Sequence, residues 1–165
     1  MSGNIESNRV DERIMEVEAL LLEYQRSLGL VPSIHNTDIG KYLNMSVEQI
    51  RKMSPEACAE ASFAIAQQAL YIQQEINKHN QRINWAKTNI NMMVTQHIDQ
   101  YGSKYTPFES RKLLAIKDNE YTSKLYELAI RAQQIVDTLS YVPAKIKFVA
   151  DMLSEYKRTK ELGNV

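Results

Sequence analysis

Lys78, Arg82, Trp85 and Asn89 stand at i, i+4, i+7 and i+11 near the middle of a 165-residue chain. On a helix that spacing sets all four on one face. Two cations beside the chain's one tryptophan suit a single nucleic-acid strand. Cations track phosphates, and an indole face accepts a base at about 1–3 kcal/mol. Twelve Asn and Gln lie between Gln67 and Gln100, with few acids among them. Such amides bond phosphate, sugar or base without repelling the strand. Lys87 and Lys104 extend the set of cations. The plainer reading of the same stripe is that Trp85 packs against a further helix, the N-terminal one first, and that Lys78 and Arg82 are solvated.

Other chemistry is thin. The histidines are His35, His79 and His97. The last two fall eighteen residues apart, about 27 Å along a helix axis, too far to ligate one metal within a chain. They read as polar residues that set register in a helical seam. Cys58, among Ala57, Ala59 and Ala61, reads as a small buried thiol. One cysteine forms no disulfide framework and no Cys-based zinc site, and suits a reducing compartment. Glu16 with Glu23, and Glu56 with Glu60, read as solvated helix faces. The five glycines are scattered singly and make no phosphate loop. Neither a nucleophile elbow nor an H-E-x-x-H run occurs. Without nucleophile, base and stabiliser together, the expectation is a non-enzymatic chain with no cofactor and no metal.

The charge balance is 20 basic against 20 acidic side chains. That argues against strong bulk attraction to nucleic acid. The zero is uneven: residues 1–28 hold 3 basic and 6 acidic side chains, 29–101 hold 6 and 6, and 102–165 hold 11 and 8. An acidic arm thus precedes a modestly basic C-terminal part and is able to shield or bind a basic surface.

Helices must position these residues. With 44% hydrophobic residues, 5 Gly and 4 Pro, the composition suits an all-α core. Val10, Ile14, Val17, Leu21, Tyr24 and Leu28 make one apolar stripe, so 1–28 reads as an amphipathic helix. Residues 29–45 read as an irregular connector. Ser46-Val47-Glu48-Gln49 has capping-box form and opens a short helix, so 29–53 reads as a linking segment.

Ser54-Pro55-Glu56 then starts a helix expected to reach about Gln100. Its seam is Ile65, Ala69, Ile72, Ile76, His79, Ile83, Ala86, Ile90, Met93, His97. Around the Tyr101–Tyr105 break, Thr106-Pro107-Phe108-Glu109 reads as a second capping box, with Pro107 at the first helical position. A pause is expected near Asp118-Asn119. The last block carries Leu125, Leu128, Ala132, Ile135, Leu139, Val142, Ile146, Val149, Leu153 and Tyr156, with a kink expected at Leu139–Pro143. Residues 54–165 therefore read as a long, coiled-coil-like antiparallel hairpin. Its seams favour a homo-oligomer held by Ile72, Ile76, Ile83, Ile90, Leu128, Ile135, Leu139, Ile146 and Val149. The mixed, acidic start reads as no secretory signal, no apolar run reaches membrane-spanning length, and KELGNV holds no lipidation box.

Ile146-Lys147-Phe148-Val149-Ala150-Asp151-Met152, Asn77-Lys78-His79, the Ala115-Ile116-Lys117-Asp118 turn and the helix–Tyr-Gly–helix plan together resemble the T-even phage recombination mediators (UvsY-like proteins) over about residues 71–163. The resemblance implies a small helical oligomer in the host cytoplasm. It would bind single-stranded DNA and load a recombinase onto strands covered by a single-strand-binding protein. That family has basic residues just before the Tyr-Gly loop, where this chain has Thr95, Gln96, His97, Ile98 and Asp99. Binding here would fall to Lys78, Arg82, Trp85, Lys87, Lys104, Arg111 and Lys112. The alternative expectation is a phage structural or assembly adaptor on a helical hairpin, without nucleic-acid binding.

Overall fold

The computed structural model describes residues 3–28, 39–103 and 105–163, and side chains from residue 9 onward. Regular structure among them is helical throughout, as expected: α1 (Gly3–Ser27), α2 (Ile39–Leu43), α3 (Val47–Lys52), α4 (Pro55–Thr95), a 3-10 turn (Ile98–Gln100), α5 (Phe108–Asp118), α6 (Glu120–Leu139) and α7 (Val142–Leu162). The chain divides into two compact units. One holds α1, residues 77–95 of α4, the 3-10 turn, α5 and α6 up to residue 137; the other holds α2, α3, residues 55–76 of α4, and α7.

In the first unit the core is built from Val10 and Ile14 of α1, Ala86, Ile90 and Val94 of α4, Ile98, Ala115 and Ile116, and Leu125 and Ala129 of α6. The 3.6-residue period brings these positions to one stripe per helix, and full burial of an Ile or Leu contributes about 1.5–3 kcal/mol. The seam departs from expectation at the end of α4. Val94 and Ile98 are buried, whereas Met93 and His97 are exposed. An alternating 3–4 spacing tracks a 3.5-residue period, and an uncoiled helix drifts off it. Helix α4 also stops at Thr95, short of Gln100, and the chain continues as a 3-10 turn. On α1, Val10 and Ile14 are buried, while Tyr24 and Leu28 at the far end of the stripe are exposed.

In the second unit Ala61, Ile65 and Ala69 of α4 pack with Ile146, Ala150 and Leu153 of α7, and Ile39, Tyr42, Ile50 and Met53 close over them. Ser62 Oγ lies 2.7 Å from Ser154 Oγ and donates to the Ala150 carbonyl at 2.9 Å. Lys160 Nζ donates to the carbonyls of Ile50 (3.1 Å), Arg51 (2.9 Å) and Met53. The pairing of 53 with 160 and of 62 with 150 and 154 makes this part of the hairpin antiparallel.

The helix starts repay the capping signals unevenly. Ser46 and Gln49 form the full capping box, and Ser54 Oγ accepts from the Ala57 amide at 3.2 Å. The expected box at Thr106 does not form. Pro107 is the N-cap and α5 has no side-chain cap. The Thr106 side chain instead lies against Gly102, whose φ is +130°; a Cβ built there would meet Thr106 Oγ1 at 2.8 Å. The pause near Asp118 is present, because Asn119 ends α5 and its Oδ1 accepts from the Thr122 amide at 3.1 Å. Pro143 makes a full break, not the expected kink. Helix α6 ends at Leu139 and α7 starts at Val142 with Pro143 in its first turn. A missing N–H costs nothing in a first turn, so a fresh start is cheaper than a kinked continuation.

The seam residues expected to join subunits are largely covered by their own chain. Ile76, Ile83, Ile90 and Ile146 are buried; Ile72 and Val149 pack on the second core and Leu128 on the first. Leu139 is half-buried, and Ile135 is 38% exposed, because Ala129 and Ala132 take the inward positions of α6. Of the 29–45 connector, residues 29–38, with His35, lie outside the described residues, and 39–43 form α2.

Candidate nucleic-acid interface

Every site residue in this section lies in the first unit. The stripe on α4 is placed by helix geometry as expected, but α1 lies over part of it. Arg82 Nε donates to Glu18 Oε1 of α1 at 2.5 Å, with side-chain exposures of 27% and 24%. Trp85 is half-buried against the core. Together with Gln81 and Arg82 it lines a crevice against Ile14, Val17, Glu18 and Leu21. Packing of Trp85 on the N-terminal helix is therefore what the structure shows. Asn89 Nδ2 donates to the Trp85 carbonyl within its own helix at 2.8 Å. Lys78 is half-buried.

Lys87 and Lys112 sit elsewhere, on an open cleft of about 460 Å³ between α4, α5 and α6. Ile90, Ile116 and Ala129 form its apolar floor, Leu113 and Ile130 its walls, and Asn91, Glu109, Tyr126 and Gln133 its polar rim. Low-numbered α6 residues lie by the end of α4 and high-numbered ones farther back, so the cleft runs along an antiparallel helix pair. Among the described residues neither lysine is held in an ion pair. Tyr126 is 39% exposed, and Gln133 Nε2 donates to Asp137 at 2.8 Å.

Arg111 is separate from this set. Its Nη1 donates to Asp99 Oδ1 at 3.3 Å, tying α5 to the 3-10 turn. Lys104 lies outside the described residues. The six candidates among the described residues thus resolve into a pair on the cleft (Lys87, exposed, and Lys112, half-buried), a pair against α1 (Arg82, Trp85) and the individual Lys78 and Arg111. Tyr126 was not among them. The signal for it was present: Tyr126, Ile130 and Gln133 fall at i, i+4 and i+7, one row beside the Leu125 seam.

Chemically, the cleft offers two ammonium groups, one phenol ring, two amides and one carboxylate around an apolar floor. Its lining has no serine, cysteine or histidine. Cys58 is fully buried in the second unit, as a small core thiol. Among the described residues no three His, Cys, Asp or Glu side chains converge as a metal site, and no helix is long and apolar enough to cross a membrane. No family model, curated protein or solved structure matches the chain.

Proposed function

We propose that the chain is a non-enzymatic accessory of DNA recombination, acting in the host cytoplasm. It binds single-stranded DNA as a homo-oligomer and helps to load a recombinase onto strands held by a single-strand-binding protein. The observation that supports this best is the cleft, which Lys87, Lys112 and Tyr126 line together over an apolar floor. Lysines lining one cleft are able to engage phosphates, and a half-exposed phenol stacks a base. The resemblance of residues 71–163 to the T-even mediators points the same way. Neutral overall charge fits an affinity built from several weak contacts multiplied over subunits.

Titration of the full chain with a fluorescent oligothymidylate at several salt concentrations tests this. Binding should weaken with salt by about 0.7 in log–log slope per phosphate contacted. K87A/K112A should lower that slope. Y126A should cost about 1–3 kcal/mol at unchanged slope. No binding at low salt would sink the reading.

The adaptor alternative draws on a different observation. Arg82 and Trp85 are engaged by α1, so the stripe most suited to a strand serves an intramolecular contact. An adaptor would form defined oligomers by native mass measurement and leave the oligonucleotide free.

A further inference from the structure

Glu18 places a carboxylate on Arg82 where a phosphate would sit, and Val17 and Leu21 lie along Trp85 where a base would stack. We propose that α1 is an intramolecular cover that occupies a second single-strand contact, Arg82–Trp85, and that an incoming strand displaces it. This rests on the single-strand reading above and adds to it a regulated half of the site.

Three features carry the proposal. The chemistry of the contact matches on both counts, carboxylate for phosphate and aliphatic side chain for base. The cover is acidic: residues 1–28 hold 6 acidic against 3 basic side chains, so it competes with a polyanion for the same cation. The hold is also slight. Between residues 9 and 28 only Val10 and Ile14 are buried, while Met15, Leu20, Tyr24 and Leu28 are each more than half exposed. A helix so lightly seated is drawn from the low-stability end of a fold, where local opening is easiest. The apparent affinity of the covered contact is then reduced by the fraction of molecules in which α1 is seated.

The test uses the full-length chain and an oligothymidylate of about 16 nucleotides. E18Q removes the competing charge and keeps Arg82; R82Q breaks the same ion pair and removes the cation. E18Q should bind about two- to fivefold more tightly than the wild type, the change that a half-exposed ion pair carries. R82Q should gain nothing. Hydrogen exchange along residues 10–24 should accelerate in the wild type when the oligonucleotide is saturating. Equal gains in E18Q and R82Q would mean simple loosening of α1 and overturn the cover. So would an α1 that keeps or raises its protection with the strand bound. If the wild type binds and E18Q binds no better, the cover alone falls; if no variant binds, the single-strand reading falls and the cover with it.

Discussion

Arg82 is unable to serve a phosphate while it holds Glu18. Its position on a face with Trp85 was legible from spacing. Its partner was not, because the partner is 64 residues away and on another helix. The same limit applies to Arg111, whose aspartate lies across the loop, and to Thr106, which turns from the backbone it was expected to cap towards Gly102. Local pattern reports what a side chain is able to do; tertiary neighbours decide which option is taken. Tyr101 gives a residue-scale test. Its hydroxyl donates to Asp118 Oδ2 at 2.8 Å, and that hydrogen bond, then burial and the carboxylate charge, raise the phenol above its ordinary range. A raised phenol contributes stability that is fully present below the unfolded value of about 10 and lost as pH rises through the folded one. Y101F should therefore melt below the wild type near neutrality. The difference should close in alkaline buffer, as thermal unfolding from pH 7 to strongly alkaline pH would show.

At the scale of elements, the starts at Ser46 and Ser54 are legible in sequence, whereas at Asn119 only a pause is. Ser46, Ser54 and Asn119 each accept from an amide three residues on. Asn119 does more, because it also closes α5. N119A should destabilise the first unit by about 1 kcal/mol, in line with other N-cap losses, and a urea titration would read it. Proline was legible as a disturbance but not as to its kind. Pro143 is compatible with a kink or with a new first turn, and the choice lies in what Ser140 and Tyr141 do before it. Helix ends were hardest to place. The α4 seam slips from Met93 to Val94 because a small mismatch between 3.5 and 3.6 residues per turn accumulates over 41 residues.

Over the whole molecule, all-α architecture and antiparallel pairing followed from periodicity, whereas the partition into two units did not. The boundary falls within α4, where the apolar stripe continues without a break, although the polar face changes there from alanine and glutamate (55–76) to asparagine, lysine and arginine (77–95). Each unit has its own buried centre, Leu125 in one and Ile65 in the other, both with no exposed surface. I65A should cost about 2–5 kcal/mol. It should raise hydrogen exchange first among residues 39–76 and 142–162, whereas L125A should do so in the other unit. A uniform rise in both cases would mean that the two cores unfold as one. The expected seam for self-association is mostly consumed inside the chain. Any oligomer would have to use residues that remain outside, such as Tyr141 at the N-cap of α7 and Phe148 and Met152 on it.

Lys160 has a consequence for the order in which the protein matures. The carbonyls that end α3 are satisfied by an ammonium group 107 to 110 residues later. During synthesis α3 emerges well before α7 and stays open at that end until residue 160 has left the ribosome. Only then does α7 arrive and clasp it. The second unit is thus a late-closing structure, sealed by its last helix. A nascent chain halted before residue 160 should expose α3 and the Ile50–Met53 turn to proteolysis, while the first unit, complete by residue 137, resists it.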